Sequence, residues 1–174
     1  MKKFIVLLVI FFTAFLSMAS AANTKLYRNT PWQFRIELPS DWEYTKTKGP
    51  NVVMNAMSKN IEGMNIVVKP MPDIAEANED LLNFIFEYQE YPSNITIIGK
   101  SIIDVSPHKA LAYSSIIHFK YPRSEFYNYN LTFQIVTHEK HYIISYFCHP
   151  ENAKDFQPIV LKSISSFVDE TGWY

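Results

Sequence analysis

Between Lys109 and His149 the chain carries three long runs of strand character joined by two short polar turns, and this stretch limits the fold more than any other. In the middle run Tyr127, Tyr129, Leu131, Phe133 and Ile135 alternate with Asn128, Asn130, Thr132 and Gln134. Period two is the period of a strand, so one face is core-bound and the amide and hydroxyl face is expected to be wet. Tyr, Phe, Ile and Thr also suit a pleated, half-buried surface. After the turn His138-Glu139-Lys140, the run from Tyr142 to Cys148 is apolar on both faces, which predicts a central strand. Before the middle run, Leu111, Tyr113, Ser115, Ile117 and Phe119 alternate again. Short turns between such runs predict antiparallel neighbours, a meander of three strands.

The upstream runs are shorter. Lys25 to Asn29 opens with an extended segment, and Phe34 to Leu38 alternates before the turn signal Pro39-Ser40-Asp41. Trp42 and Tyr44 begin a further strand. Val52, Met54 and Ala56 mark another, and Met64, Ile66 and Val68 a fourth, stopped by Pro70 and Pro72. Asp73 then reads as a helix cap with Glu76 at the third helical position. Leu81, Leu82, Ile85 and Tyr88 follow at helical spacing, with Phe84 and Phe86 widening the apolar face. Pro92 closes this helix, placed over 74–91, and Glu76, Glu79, Asp80, Glu87 and Glu90 form its solvated side. Ile95 to Val105 is extended, with a bulge or bend around Gly99-Lys100. A last helix carries Phe156, Val160, Ile164 and Phe167 on one stripe, with Asp155 as its cap so that Pro158 falls where amides lack partners anyway. The pattern describes an α+β domain with helices over a sheet.

Met1-Lys2-Lys3, the apolar run Phe4 to Leu16 and the small residues Ala19-Ser20-Ala21 read as a signal peptide, 1–21, ahead of a single domain, 22–174. The run is shorter than the about 20 apolar residues of a spanning helix. No cysteine stands directly after the cleavage region, so an exported chain without a lipid anchor is expected, in the periplasm or outside the cell. The full chain has net charge −1, and losing Lys2 and Lys3 makes it −3. With no basic stripe, nucleic acid is not an expected partner. The lone cysteine, Cys148, excludes an internal disulfide and belongs in the core. It points away from His149, because successive strand residues face opposite sides.

No catalytic, cofactor-binding or metal residue is expected. The four glycines are isolated and build no phosphate loop. His138, Glu139 and His141 share a turn, but turn histidines are ordinarily solvated and a metal needs three or four ligands. His149 lies at the far end of the strand, roughly 26 Å from His141. Glu87 and Glu90 belong to a solvated helix side. Asn94-Ile95-Thr96 and Asn130-Leu131-Thr132 fit the glycosylation pattern but are expected unmodified behind a bacterial-style signal. The stretch richest in contact chemistry is Tyr121 to Tyr129. Tyr127 and Tyr129 start the core face of their strand, which leaves Tyr121, Arg123 and Phe126 for exposed contacts with a partner; Tyr and Arg are common interface anchors. A second reading is a small-ligand carrier, its apolar pocket between sheet and helix lined by Met54, Met57, Met64, Tyr113, Tyr142 and Tyr146. A filled core is the plainer account of those six.

The segment Phe34-Arg35-Ile36-Glu37-Leu38-Pro39-Ser40-Asp41-Trp42 resembles the opening F-x-I-x-x-P-x-x-W of the PsbP-like fold. Asn65-Ile66-Val67-Val68 is similar to the next strand of that group, and Ile164-Ser165-Ser166-Phe167 to the I-x-x-SF ending of its last helix. The resemblance spans about residues 26 to 170 and includes exported bacterial members. It implies an antiparallel sheet sandwiched between helices, an α/β/α sandwich. It also implies a non-enzymatic binding or assembly role, with another exported or envelope protein as partner and no cofactor. No metal-binding or Ran-contacting motif of the group is matched.

Overall fold

The computed structural model describes residues 23–45, 47, 49, 51–60, 62–71 and 78–171. The expected signal peptide and the expected helix start at Asp73 and Glu76 lie outside the described residues. Among the described residues the order is β1 Thr24–Asn29, β2 Phe34–Pro39, β3 Glu43–Tyr44, β4 Val52–Met57, β5 Gly63–Pro70, α1 Glu79–Tyr88, β6 Ile95–Val105, β7 His108–Tyr121, β8 Ser124–Val136, β9 Lys140–Cys148, α2 Ala153–Ser165 and β10 Val168–Asp169. The class is α+β. The strands form not one sheet but two, a seven-stranded sheet β3-β4-β5-β9-β8-β7-β6 and a three-stranded sheet β1-β2-β10. The meander β7-β8-β9 is the middle of the larger sheet, and β9 is central, between β5 and β8. The bulge expected near Gly99 is present as a register shift between Ile97 and Gly99. Among the described residues no helix is long and apolar enough to cross a membrane.

One face of the large sheet receives β2 and α2. Phe34, Ile36 and Leu38, alternate residues of β2, are fully buried with Tyr142, Ile144 and Tyr146 of β9. The Phe34 ring meets Tyr142 edge-on at 5.8 Å and stacks on Phe167 at 6.0 Å. The predicted stripe Phe156, Val160 and Ile164 of α2 enters the same cluster, with Trp42 stacked on Phe156. Each large side chain buried there stabilises the fold by about 1.5–3 kcal/mol. Polar groups join the same layer. Ser163 Oγ donates to Glu37 O at 2.6 Å and accepts from Tyr146 OH at 2.8 Å, and Ser166 Oγ accepts from the Glu37 N–H at 2.7 Å. These bonds knit α2 to both sheets and leave no buried hydroxyl of that group unpaired.

Asp155 is not the cap of α2. The helix starts three residues earlier, from the 3₁₀ turn Pro150–Asn152, with Asn152 at the cap position and no side-chain bond there. Pro158 therefore stands inside the helix, and the Lys154 carbonyl loses its helical donor. Lys154 is exposed, so water can serve that carbonyl. Asp155 instead places a carboxylate in the first turn, at the positive end of the helix dipole.

On β7, Ala110 and Ala112 face that first core, whereas Leu111 and Tyr113 join a second, smaller one with Leu82 of α1 and Val136. The described α1 is shorter than the 74–91 expectation. Asn78 caps it, Oδ1 accepting from the Leu81 N–H at 2.9 Å, and Gln89 is already extended. Only Leu82 of this helix is fully buried. Phe84 and Tyr88, expected on its apolar face, are 55% and 73% exposed. The reason is angular. At about 100° per residue, Phe84 and Tyr88 lie roughly 200° and 240° around from Leu82. The polar face of β8 also departs from expectation, since Thr132 and Gln134 are buried. Thr132 Oγ1 bonds Ser145 Oγ at 3.1 Å, while Gln134 donates to Gln89 Oε1 at 2.7 Å and pairs with His141 Nε2 at 3.0 Å. Gln134 is bonded to protein, not water, because the segment following α1 reaches it through Gln89, and Thr132 is satisfied by the neighbouring strand β9.

Candidate functional site

The β7-β8 hairpin outruns its neighbours. The first residue of β6, Ile95, pairs with Ile117, and the last of β9, Cys148, pairs with Tyr129. Four further pairs follow on the hairpin: His118↔Tyr127, Phe119↔Phe126, Lys120↔Glu125 and Tyr121↔Ser124. Asn94 closes the neck, its carbonyl accepting from the His118 N–H and its amide donating to the His118 carbonyl. Beyond it the hairpin is a free-standing two-stranded arm.

Strand alternation sorts the arm into two faces. Phe119, Phe126 and Tyr121 share one. Their rings are nearly parallel, 4.7 Å and 5.6 Å between centroids. His118, Tyr127, Lys120 and Glu125 share the other. There the His118 ring stacks on Tyr127 at 4.5 Å, its Nε2 lies 3.2 Å from Glu125, and Lys120 lies 3.6 Å from the same carboxylate. Such cross-strand pairs hold a hairpin straight where no third strand supports it. Arg123 sits exposed in the turn and takes no hydrogen bond or ion pair among the described residues. The three residues singled out for partner contact, Tyr121, Arg123 and Phe126, thus share one tip and are all exposed, Tyr121 to 53% and Phe126 to 41%. Tyr127, assigned to the core face, is exposed as well. Its strand period is as expected, but the core stops short of it.

The other candidate chemistries are placed elsewhere. Cys148 is buried, and burial with Glu62 nearby pushes its thiol up to about 12, the opposite of a reactive thiolate. His149 is exposed on the other side of the strand, as alternation requires. His141 lies under Gln134 whereas His138 and Glu139 lie on the exposed turn, and no group of three metal-binding side chains occurs among the described residues. Of the six proposed pocket residues, Met54, Met64, Tyr113, Tyr142 and Tyr146 are core. Tyr142 donates to Asp169 at 2.9 Å, as Tyr146 does to Ser163, so both hydroxyls are committed internally. A cleft of about 510 Å³ opens instead beside Trp32, Met71, His138 and Lys140. The Lys140 ammonium on its floor is held by the Trp32 carbonyl at 3.1 Å and by Thr171, 3.8 Å from Asp169. That is a bracing network between the two sheets.

A second exposed aromatic pair escaped the sequence reading. Phe84 and Tyr88 of α1 touch at 4.3 Å, and Asp80 and Glu87 are exposed beside them. A helical wheel centred on Leu82 would have found it.

No family model and no curated relative matches the sequence. Solved structures do. The cyanobacterial PsbP of Synechocystis sp. PCC 6803 superposes with a TM-score of 0.60 at 12% identity, over 88% of this chain and 98% of that one. The Ran-binding protein Mog1p of Saccharomyces cerevisiae gives 0.58 at 7% identity, over 86% and 96%. LpqN of Mycobacterium tuberculosis, described as involved in cell envelope biogenesis, gives 0.53 at 7% identity, over 86% of each chain. At such identities the likeness speaks for the backbone alone, and it agrees with the resemblance carried by Phe34 to Trp42: the chain has the fold of the cyanobacterial PsbP and of Mog1p.

Proposed function

We propose that the chain is an exported, non-enzymatic protein-binding or assembly module, and that Tyr121, Arg123 and Phe126 at the hairpin tip are its contact surface. The observation that carries this reading is the projection of the tip. Four residue pairs extend past both neighbouring strands and display stacked aromatics with an unpaired arginine at the apex. Soluble chains rarely leave such a surface without a use, and Tyr and Arg anchor interfaces well. Export rests on the basic and apolar start of the chain, with cleavage after Ala21, a single mature domain and no retained span. Mass spectrometry of the protein recovered outside the cytoplasm is expected to give Ala22 as its first residue. The named neighbours lend support of class only: one is a Ran-binding protein and one belongs to envelope biogenesis. In this reading the larger sheet is the middle layer of an α/β/α sandwich that serves as a rigid base for the arm.

A photo-crosslinking phenylalanine analogue at Tyr121, expressed in the native host, tests the site. A discrete adduct is expected from Tyr121 and none from the same analogue at Tyr44, which is equally exposed on β3. Arg123→Ala with Phe126→Ala is expected to abolish partner recovery while the melting temperature holds. Undiminished recovery by that variant would count against the tip.

A further inference from the structure

We infer that a partner of the hairpin tip is a second copy of this chain, docked through the outer face of its α1. The inference rests on the tip being a contact surface, as proposed above. The molecule displays two exposed aromatic patches of opposite charge. The tip presents Tyr121 and Phe126 with Arg123, which has no ion pair among the described residues, while Lys120 lies on the opposite face, paired with Glu125. The face of α1 presents Phe84 and Tyr88 with Asp80 and Glu87, and neither carboxylate has an ion pair among the described residues. The ten residues of α1 include no lysine or arginine. Its first-turn Glu79 is already taken by Lys109 at 3.0 Å.

The spacing makes the acidic face a single stripe. From Asp80, Phe84, Glu87 and Tyr88 fall within about 100° of arc, so acid and ring alternate along one edge of the helix. The tip offers a flat stack of rings and a guanidinium. Rings stack on rings, arginine stacks on an aromatic face, and guanidinium pairs with carboxylate in two-pronged hydrogen bonds. Each patch supplies what the other lacks. The patches are different surfaces of one molecule, so the contact is heterologous and propagates tip to helix, either closing into a ring or continuing. A hairpin tip on one helix face is a small interface, so the association is weak, and its charges make it salt-sensitive.

Sedimentation velocity of the purified protein over a concentration series tests this. At low salt the wild type is expected to shift to larger species as concentration rises, and to return to monomer at about 0.5 M salt, where the screening length is only a few ångströms. Arg123→Glu and Glu87→Lys are each expected to weaken association more than tenfold. Mixing the two variants is the decisive arm. The intact tip of Glu87→Lys can dock on the intact α1 of Arg123→Glu, and the two charge-reversed surfaces left over match each other, so the mixture should recover the concentration-dependent association that neither variant shows alone. Both changes in one chain should restore self-association. A wild type that stays monomeric at low salt up to about millimolar concentration, the range of the weakest specific contacts, overturns the inference. So does a mixture that behaves like its separate components. The crosslink at Tyr121 separates the two readings. An adduct to a different protein from a chain that never self-associates leaves the tip as a contact surface and removes only the second copy. With neither adduct nor self-association, both fall.

Discussion

The two faces of the seven-stranded sheet are held by different means. On the α2 face, rings from β2, β9 and α2 interlock, and serine hydroxyls join helix, strand and tyrosine. On the α1 face the helix fully buries Leu82 alone, Leu81, Ile85 and Phe86 pack half-buried on a smaller core, and the relay Gln89–Gln134–His141 ties the segment after the helix to the sheet. The contrast separates two tasks. The dense face makes the fold; the thin face and the projecting hairpin carry aromatics and charges that the fold does not need.

If this division is right, the largest loss comes from the dense face. Phe34→Ala removes a fully buried ring lodged between Tyr142 and Phe167 and is expected to lower unfolding free energy by about 3–5 kcal/mol in urea titration. Next is a pH effect on the thin face. Burial, with Lys69 nearby, pushes His141 down to about 4. An unfolded histidine titrates near about 6.5, so between these values the unfolded chain binds the extra proton and stability rises with pH. The stabilisation is whole above about pH 6.5 and is lost as pH falls toward 4, by up to about 3 kcal/mol. His141→Gln should remove that part of the slope, and parallel pH profiles of variant and wild type would break the assignment. Leu82→Ala is expected to cost about 2–3 kcal/mol, less than Phe34→Ala, because the smaller core around it can relax; an equal loss would erase the distinction between the faces. Smallest is the arm, where Arg123→Ala with Phe126→Ala should move stability by no more than about 0.5 kcal/mol.

The meander was legible because Tyr127 to Ile135 keep strict period two, where a one-residue slip would turn every apolar side chain to the other face, and Leu111 to Phe119 keep it loosely. The second sheet was not, because nothing local in Phe34 to Pro39 says that its partners are Thr24 to Asn29 and a two-residue strand at Val168. The wet face assigned to Thr132 and Gln134 failed for a related reason: whether an amide meets water or a neighbouring side chain depends on what lies over the sheet. Tyr121, Arg123 and Phe126 were legible as a set from their turn. How far they project depends on where β6 and β9 stop, which is a property of the neighbours.

The small sheet joins the two ends of the chain, since β2 pairs with β1 on one side and with β10 on the other, and Glu37 is gripped by Ser163 and Ser166 from well over a hundred residues away. Closing so long a loop is slow compared with forming a local hairpin. A two-stranded ribbon alone is marginal in water, so β1 and β2 have no stable place until Asp169 has been made. Phe167 to Asp169 therefore act as a latch. Until they arrive, Phe34 lacks the ring of Phe167 that stacks on it, and β2 lacks its partner on one edge.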